Sequence, residues 1–424
     1  MHNSNDRELS AEEQWLLRSL SVILNQGEWG DGMAGAPVPD WDRLLQIAQH
    51  HAVLPLLYPV LEQGNEIPAS FAVCISNESR QTVQQSYRLM FLTHYLVERM
   101  QEAGLRVAVL KGAAAAGCYP VPELRKSGDI DLLLTSEGTY EEAEHIMDVA
   151  GFEKKEGHSS HHHQVWRTEE GIDIELHVML AEPFDDRRVN AVLGRQLREM
   201  DGRIRRENVM GLEFPVLEDG DHAYYLLLHM LHHFLRAGFG LKLLCDWVVF
   251  WNKNRTPDEI GRYRNRVLET GLTGFSDMVT SLCVEYFGLA KQNASQIVTQ
   301  YVSLKRCRAF MRDILDAGEF GMQDEGRMVI ARGGGLAGYL REFHHQMCLN
   351  HPKKSKVLFL WPALWVLTLV RFINNNRKLR GISTFQVLKK AGERGRKIRH
   401  LKLFCQEIPS PGIEERGKTE VDKC

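Results

Sequence analysis

The sequence predicts an α+β fold in which strands occupy the middle of the chain and helical regions lie on both sides. Short β-rich runs alternate with a helical segment between Gly104 and Pro215, whereas apolar residues recur at helical spacing before and after that segment. With 424 residues, 44% of them hydrophobic and 25% charged, the chain has the composition of a globular protein of two or three domains. Collagen, coiled-coil rods and wholesale disorder are excluded.

The first predicted region, residues 1–103, is helical. Leu89, Leu92 and Leu96 illustrate its apolar spacing, and the Gly- and Pro-rich segment 27–39 interrupts it. We therefore expect several helices joined by loops.

The second predicted region, residues 104–218, contains the strands. Between the second and third strands, residues 140–150 have the pattern of a helix that packs on a sheet, and Gly151 is its C-cap. The predicted strands are residues 106–110, 130–134, 165–167 and 172–179.

The remainder of the chain is predicted to be helical again. A helical domain covers 219–345 and begins with helices at 221–239 and 241–251. Residues 346–408 form an apolar and then basic helical segment, and 409–424 form a disordered tail.

Charge and cysteine content limit the function classes. The net charge of −3 creates no global field that would attract nucleic acid, so the sequence carries no strong nucleic-acid signal. The eight cysteines form no CxxC pair, as is typical of reduced thiols in a cytoplasm, and the polar N-terminus lacks the apolar core of an export signal. We expect a cytoplasmic protein.

One apolar stretch, residues 357–373, is short for a membrane span and contains Pro362 and Arg371. A buried or interfacial helix is the better interpretation. Because basic residues follow directly, we expect peripheral contact with an anionic membrane through 357–402; RNA binding and a solvated helical face are the alternatives.

The strongest chemical signal is Asp129 and Asp131, two carboxylates one residue apart at the start of an apolar strand. Strand geometry places both on one face, where a divalent cation would neutralise their repulsion. The alternative is a capping Asp followed by a solvent-facing Asp.

A second strand strengthens the metal hypothesis. Asp173, Glu175 and His177 alternate with aliphatic residues and share one face. If this strand lies beside the first, Glu175 is the favoured third ligand, with Asp173 as the alternative, for two Mg²⁺ ions about 3.5–4 Å apart. His177 would contact a phosphate or the acceptor, unless it is a structural histidine; a plain polar face is also open.

Upstream, Lys111 and Gly112 end a predicted strand and precede small residues that can start a helix. Gly112 permits close backbone approach, and the Lys111 ammonium adds positive charge, so a phosphate could bind here. Arg125 could reach the same phosphates.

Several other polar residues suggest contacts without a decisive pattern. His158 and residues 161–163 form a histidine-rich run that could bind transition metals, although a polar loop is commoner. His229 and His233, four apart on a helix, and Lys242 and Asp246, also four apart, are candidates for acceptor or phosphate contacts. Packing and an ordinary ion pair are the alternatives.

The segment LKGAAAAGCYPVPELRKSGDIDLLL, at 110–134, and the later GIDIELHVML together resemble the uncharacterised nucleotidyltransferase family of the polymerase-β-like superfamily. That family has LKG, Tyr-Pro, R-x-x-x-DIDLLV and a later [DE]-L-H-W; Val178 here replaces the Trp. The resemblance covers about residues 40–255 and implies a small mixed β-sheet core flanked by helical regions.

The resemblance implies Asp129, Asp131 and Glu175 as catalytic metal ligands for Mg²⁺. Lys111 and Gly112 stand where better-known relatives have Gly-Ser. The predicted nucleotide-binding residues are Lys111, Gly112, Arg125, Ser127 and Gly128.

The predicted activity is transfer of NMP from an NTP, with ATP favoured, to an acceptor hydroxyl. The acceptor could be a small molecule, a glycan precursor or a protein. The alternatives are a protein-AMPylating regulatory or antitoxin-like enzyme and a nucleotide-binding module without turnover.

Overall fold

The computed structural model describes residues 8–62, 67–136, 139–155, 163–184, 186–236, 238–318 and 354–380, with positions 340, 343, 344, 347, 348, 350 and 351; of 236 and 371–380 only the backbone is described. The helices are α1 Ala11–Leu24, α2 Trp29–Met33, α3 Trp41–His50, α4 Ala69–Glu102, α5 Ala113–Ala116, α6 Tyr140–Val149, α7 Arg187–Met200, α8 Asp219–Arg236, α9 Leu241–Asn252, α10 Pro257–Glu269, α11 Thr273–Phe287, α12 Lys291–Ile297, α13 Leu304–Leu315 and α14 Trp361–Arg380. The strands are β1 Val107–Val109, β2 Asp129–Leu134, β3 Glu153–Lys154, β4 His163–Arg167, β5 Asp173–His177, β6 Ile204–Val209 and β7 Leu212–Leu217.

The strands form one mixed sheet in the order β3-β4-β5-β2-β1-β7-β6. β2 is parallel to β5 and antiparallel to β1, and β1 is parallel to β7. The predicted α+β class, with a mixed sheet between helical regions, is confirmed.

The sequence interpretation missed β3 and the β6–β7 hairpin, and it extended β5 too far. Met210 and Gly211 both have positive φ, the geometry of a tight two-residue hairpin turn, but a Met at the first position hides that signal. β5 ends at His177 rather than 179 because the chain bends before Pro183.

The two faces of the sheet belong to different hydrophobic clusters, and this division positions the polar residues. Ile130, Leu132 and Ile174 pack on one face with apolar residues of α4 and α6. Leu133 packs on the other face in a cluster that includes α8 and α9. Because side chains alternate along a strand, the odd-numbered carboxylates of β2 and β5 point towards the α8 side.

The long helix α4 has a regular sequence basis. It starts after Pro68 and ends before Gly104, whose φ of +77° suits the residue that follows a helix. Its buried positions include Leu89, Met90 and Leu96, which pack on the sheet. The predicted helicity before residue 104 is therefore present in the described residues.

The helices α8 and α9, which follow the sheet in the chain, begin and end near their predicted bounds of 221–239 and 241–251. In the described part of the chain α14 covers part of the predicted apolar segment. Residues 381–402 and the predicted tail 409–424 lie outside the described residues, and the proposed domain boundaries stay predictions. Among the helices described, none combines the length and apolarity needed to cross a membrane.

Candidate active site

The candidate site is built on the parallel pair β2 and β5. The register places Asp129 beside Asp173 and Asp131 beside Glu175. Asp129, Asp131 and Glu175 each offer a carboxylate oxygen, and these three oxygens lie within 4.8 Å of one another. Two strand segments that are more than forty residues apart in sequence therefore converge on one polar cluster.

The donor chemistry of this cluster fits a hard divalent cation. All three ligating atoms are carboxylate oxygens, the type that Mg²⁺ prefers. Asp131 is 2% exposed, and its Oδ2 atom is buried without a hydrogen-bond partner. A buried carboxylate oxygen without a partner costs free energy unless a cation or proton satisfies it. A metal held by Asp129, Asp131 and Glu175 would supply such a cation.

Lys111 lies inside the same cluster. Its Nζ atom is 2.8 Å from Asp131 Oδ1 and 3.5 Å from Asp129 Oδ2. Burial alone would lower the pKa of Lys111, but Asp129 and Asp131 raise it well above its ordinary value. The side chain is therefore a fixed positive charge at neutral pH.

Lys111 reaches the carboxylates because the chain turns sharply after β1. Gly112 has φ +54° and ψ −108°, a backbone conformation that side chains disfavour. The helix that follows, α5, is only four residues long, so its dipole contributes little to phosphate binding. In this turn the positive charge comes from the lysine.

His177 joins the two strands through its ring. Nε2 lies 3.0 Å from Asp131 Oδ1 and 3.3 Å from Glu175 Oε2. Burial opposes protonation of His177, but hydrogen bonds to Asp131 and Glu175 raise its pKa. For Glu175, burial acts to raise the pKa, and His177 and Lys111 overcome it and lower the pKa to about 2.

Asp173 has different partners, although it shares the strand face. Arg167 Nε is 2.7 Å from its Oδ1, and Lys155 Nζ is 2.9 Å from the carboxylate. Burial acts against ionisation, but these two cations lower the pKa of Asp173. Among the described residues, Glu175 rather than Asp173 completes the acidic cluster.

Arg125 forms a buried ion pair. Its Nε and Nη2 atoms donate to Asp246 Oδ1 and Oδ2 at 2.7 and 2.8 Å, and both side chains are 3% exposed. The Tyr119 hydroxyl donates to the same Oδ1 at 2.6 Å. The Arg125–Asp246 pair therefore joins the segment before β2 to α9, and Arg125 lies at the edge of the site.

A cleft of about 600 Å³ opens beside the carboxylates. Of the predicted contact residues, those that line it are Lys111, Arg125, Ser127, Gly128, Asp129, Asp173, Glu175, His177, His229, His233 and Lys242. A volume in this range suits a small-molecule ligand.

The wall opposite the carboxylates comes from α8. The rings of His229 and His233 lie 4.5 Å apart, and Tyr225 is stacked on His229. Burial and the nearby Lys111 lower the pKa of His233 to about 4, and burial lowers the pKa of His229 as well. Both imidazoles are therefore neutral at physiological pH.

Three of the polar side chains that line the cleft were missed from sequence: Lys126, Tyr225 and His232. Tyr225 lies four residues before His229, so helical spacing could have placed it on the same face. Lys126 and His232 carry no such signal, and only the fold brings them to the cleft. His158, His161 and His162 lie outside the described residues.

Comparison with known proteins identifies the family. A family model described as an uncharacterised nucleotidyltransferase matches residues 37–288, more than half of the chain. The chain belongs to this family. The resemblance seen in the LKG, DIDLL and IELH motifs is thereby confirmed, and the family assignment makes the protein a nucleotidyltransferase.

One solved structure that this nucleotidyltransferase resembles is an antigenic nucleotidyltransferase-like protein from Paracoccidioides brasiliensis. The identity is 14%, the match covers 50% of this chain and 94% of that chain, and the TM-score is 0.33. No curated protein matches the chain.

Proposed function

We propose that this protein is a Mg²⁺-dependent enzyme that transfers NMP from an NTP, with ATP favoured, to an acceptor hydroxyl. The observation that carries the proposal is the convergence of Asp129, Asp131 and Glu175, with a buried oxygen of Asp131 left unsatisfied, beside a cleft of about 600 Å³. Metal ligands next to a ligand-sized cleft are what phosphoryl chemistry requires.

In the proposed reaction, the acceptor oxygen forms a bond to the α-phosphorus and the bond from that phosphorus to the bridging oxygen breaks, releasing pyrophosphate. Bound Mg²⁺ would supply Lewis-acid stabilisation of the phosphate charge. Asp129, Asp131 and Glu175 would hold the metal. Asp129 is the most exposed of the three, with 37% of its side chain accessible against 26% for Glu175 and a buried Asp131, and it takes the hydroxyl proton.

The other residues position and neutralise the triphosphate. The Lys111 ammonium is fixed by Asp131 and faces the same cleft, so it stabilises negative charge that develops on the phosphates. Ser127 and Gly128 line the approach to Asp129. Tyr225 and the neutral His229 and His233 form an aromatic wall suited to the base or the acceptor.

Pyrophosphate release with Mg²⁺ and each NTP tests the reaction. Asp131→Asn keeps the side-chain shape and removes the metal-binding charge, so release should fall at least about 100-fold. Asp148→Asn, on the exposed surface of α6, is the matched control and should retain full activity. Equal turnover by Asp131→Asn and wild type would contradict the assignment.

The acceptor is identified by incubation with α-labelled ATP and an extract of the source cell. Label on a small molecule or glycan supports the proposed transfer. Label on a protein band supports AMPylation instead, and tight NTP binding without turnover in any extract identifies a nucleotide-binding module.

We also propose that the protein is cytoplasmic and contacts an anionic membrane peripherally through the segment around α14. Leu358, Phe359 and Val366 are 68, 82 and 60% exposed, and the side chains that face inward from this helix include Leu364. An exposed apolar face of this kind marks an interaction surface. The sequence continues with Arg371 and further basic residues, whose charge complements anionic lipid.

Vesicle flotation tests the membrane contact. The full-length protein should float with vesicles containing anionic lipid, and the double variant Leu358→Asp/Phe359→Asp should not. Val149→Asp, at a 74% exposed apolar position on α6, is the control and should float. Equal flotation of the double variant, or none by the wild type, would contradict the proposal.

A further inference from the structure

A second group of metal-ligating side chains adjoins the acidic cluster. His163, Glu175 and His177 each offer one donor atom, and the three atoms lie within 4.8 Å of one another. His163 opens β4 and His177 ends β5, and the antiparallel register pairs them directly. Their ring centroids are 5.2 Å apart.

The two groups have different donor chemistry. Asp129, Asp131 and Glu175 provide oxygen atoms only, whereas the second group has two imidazoles and one carboxylate. Two histidines and a carboxylate are a ligand set for Zn²⁺, with a fourth position left for water. Glu175 belongs to both groups.

We propose that His163, Glu175 and His177 bind Zn²⁺, and that this ion takes Glu175 away from the magnesium site. The binding half of the proposal stands on the geometry of the three side chains. The competition half rests on the proposed function, because it requires the acidic cluster to hold the catalytic metal. Zinc would then inhibit nucleotidyl transfer by sharing a ligand with the active site.

The required rearrangement is small. Zinc–ligand distances of about 2.0–2.2 Å place tetrahedral donors roughly 3.4 Å apart. The three donor atoms already lie within 4.8 Å of one another, and His177 Nε2 is 3.3 Å from Glu175 Oε2. The β4–β5 pairing holds the backbones of His163 and His177 in place, and side-chain rotation supplies the change. The contacts of His177 Nε2 with Asp131 and Glu175 would be replaced by coordination of the ion.

Zinc affinity, measured by competition with a chromophoric chelator and without nucleotide, tests the site. His163→Gln should raise the Kd about 10- to 100-fold. Two controls should keep the wild-type Kd: His145→Gln, at an exposed position on α6, and the triple variant His158→Gln/His161→Gln/His162→Gln. An unchanged Kd for His163→Gln would overturn the site, as would a loss of binding in the triple variant.

Cobalt substitution guards against a folding artefact. Co²⁺ in the wild type should show the visible absorption of a four-coordinate site, and His163→Gln should lose it while retaining its circular dichroism spectrum. If the cobalt spectrum of wild type is that of the hexa-aqua ion, the proposed site does not exist.

Competition is measured by electron paramagnetic resonance of bound Mn²⁺, used in place of Mg²⁺. Zn²⁺ should displace Mn²⁺ from wild type at stoichiometric concentration, and His163→Gln should resist displacement. If zinc binds through His163 but no NTP is turned over, the proposed function fails and the zinc site stands. If pyrophosphate is released but His163→Gln leaves the zinc Kd unchanged, the zinc site is refuted and the proposed function is not.

Discussion

Replacement of Asp246 by asparagine removes the charge that neutralises Arg125 while keeping the shape of the side chain. The guanidinium makes two short contacts to Asp246, at 2.7 and 2.8 Å, and both side chains are 3% exposed. Tyr119 donates to the same carboxylate. We expect Asp246→Asn to leave Arg125 as a buried, uncompensated cation.

Loss of one partner from a buried ion pair costs about 3–5 kcal/mol, far more than loss of an exposed pair. Asparagine retains one acceptor oxygen, so the lower end of that range, about 3 kcal/mol, is the expected loss in the free energy of unfolding. The double variant Arg125→Met/Asp246→Leu removes both charges and should recover most of the loss, since apolar replacement of a buried pair is often neutral.

Equilibrium urea unfolding, monitored by tryptophan fluorescence without metal or nucleotide, measures the change. Arg262→Met provides a control, because its pair with Glu218 is more exposed, at 23% and 34%. A loss below about 1 kcal/mol for Asp246→Asn, comparable to that of an exposed pair, would refute the reasoning. If Arg125→Lys instead leaves stability intact and raises the KM for NTP, Arg125 serves the phosphates, as the sequence predicts.

Three further predictions concern the carboxylate cluster. Lys111→Met removes the cation that Asp131 already holds at 2.8 Å, so the metal-free protein should melt earlier and Mg²⁺ should raise its Tm by more than in wild type; an equal rise would contradict this. Gly112→Ala places a side chain on a residue with φ +54° and ψ −108°, and the added Cβ would meet no atom closer than 3.7 Å. Backbone strain should therefore lower the free energy of unfolding in urea by about 1–3 kcal/mol. Gly128→Ala is the control and should leave it nearly unchanged. The pKa of His177 is raised above its ordinary 6.5, so the stabilisation from its protonated form is complete below pH 6.5 and is lost as pH rises through the folded-state pKa. In the metal-free protein, His177→Gln should reduce the slope of the free energy of unfolding against pH above pH 6.5. An unchanged slope would refute the prediction.

The alternation of polar and apolar residues was enough to predict the two strands that contain the candidate metal ligands. Asp129 and Asp131 alternate with Ile130 and Leu132, so their common face follows from strand geometry alone. The β6–β7 hairpin was not predicted, because its turn places Met210 at a positive φ that glycine or asparagine usually marks.

The sequence predicted where a charged side chain lies better than it predicted which side chain it contacts. Lys111 and Arg125 both looked like phosphate ligands from sequence, yet Lys111 contacts Asp131, and Arg125 is paired with Asp246, 121 residues away. Glu175 was favoured over Asp173 as the third ligand, although both lie on one strand face. In the folded chain Arg167 and Lys155 contact Asp173, whereas His177 and Lys111 lie beside Glu175.

The amino-acid sequence by itself determined the α+β class, the two strands with their alternating carboxylates and the family resemblance, because these depend on residues close together in the chain. Only the tertiary structure decided that β2 and β5 are parallel neighbours, that Glu175 completes the acidic cluster and that α8 supplies the opposite wall of the cleft. The physical reason is that periodicity sets the direction of a side chain relative to its own strand or helix, whereas strand order and packing set which distant side chain it meets.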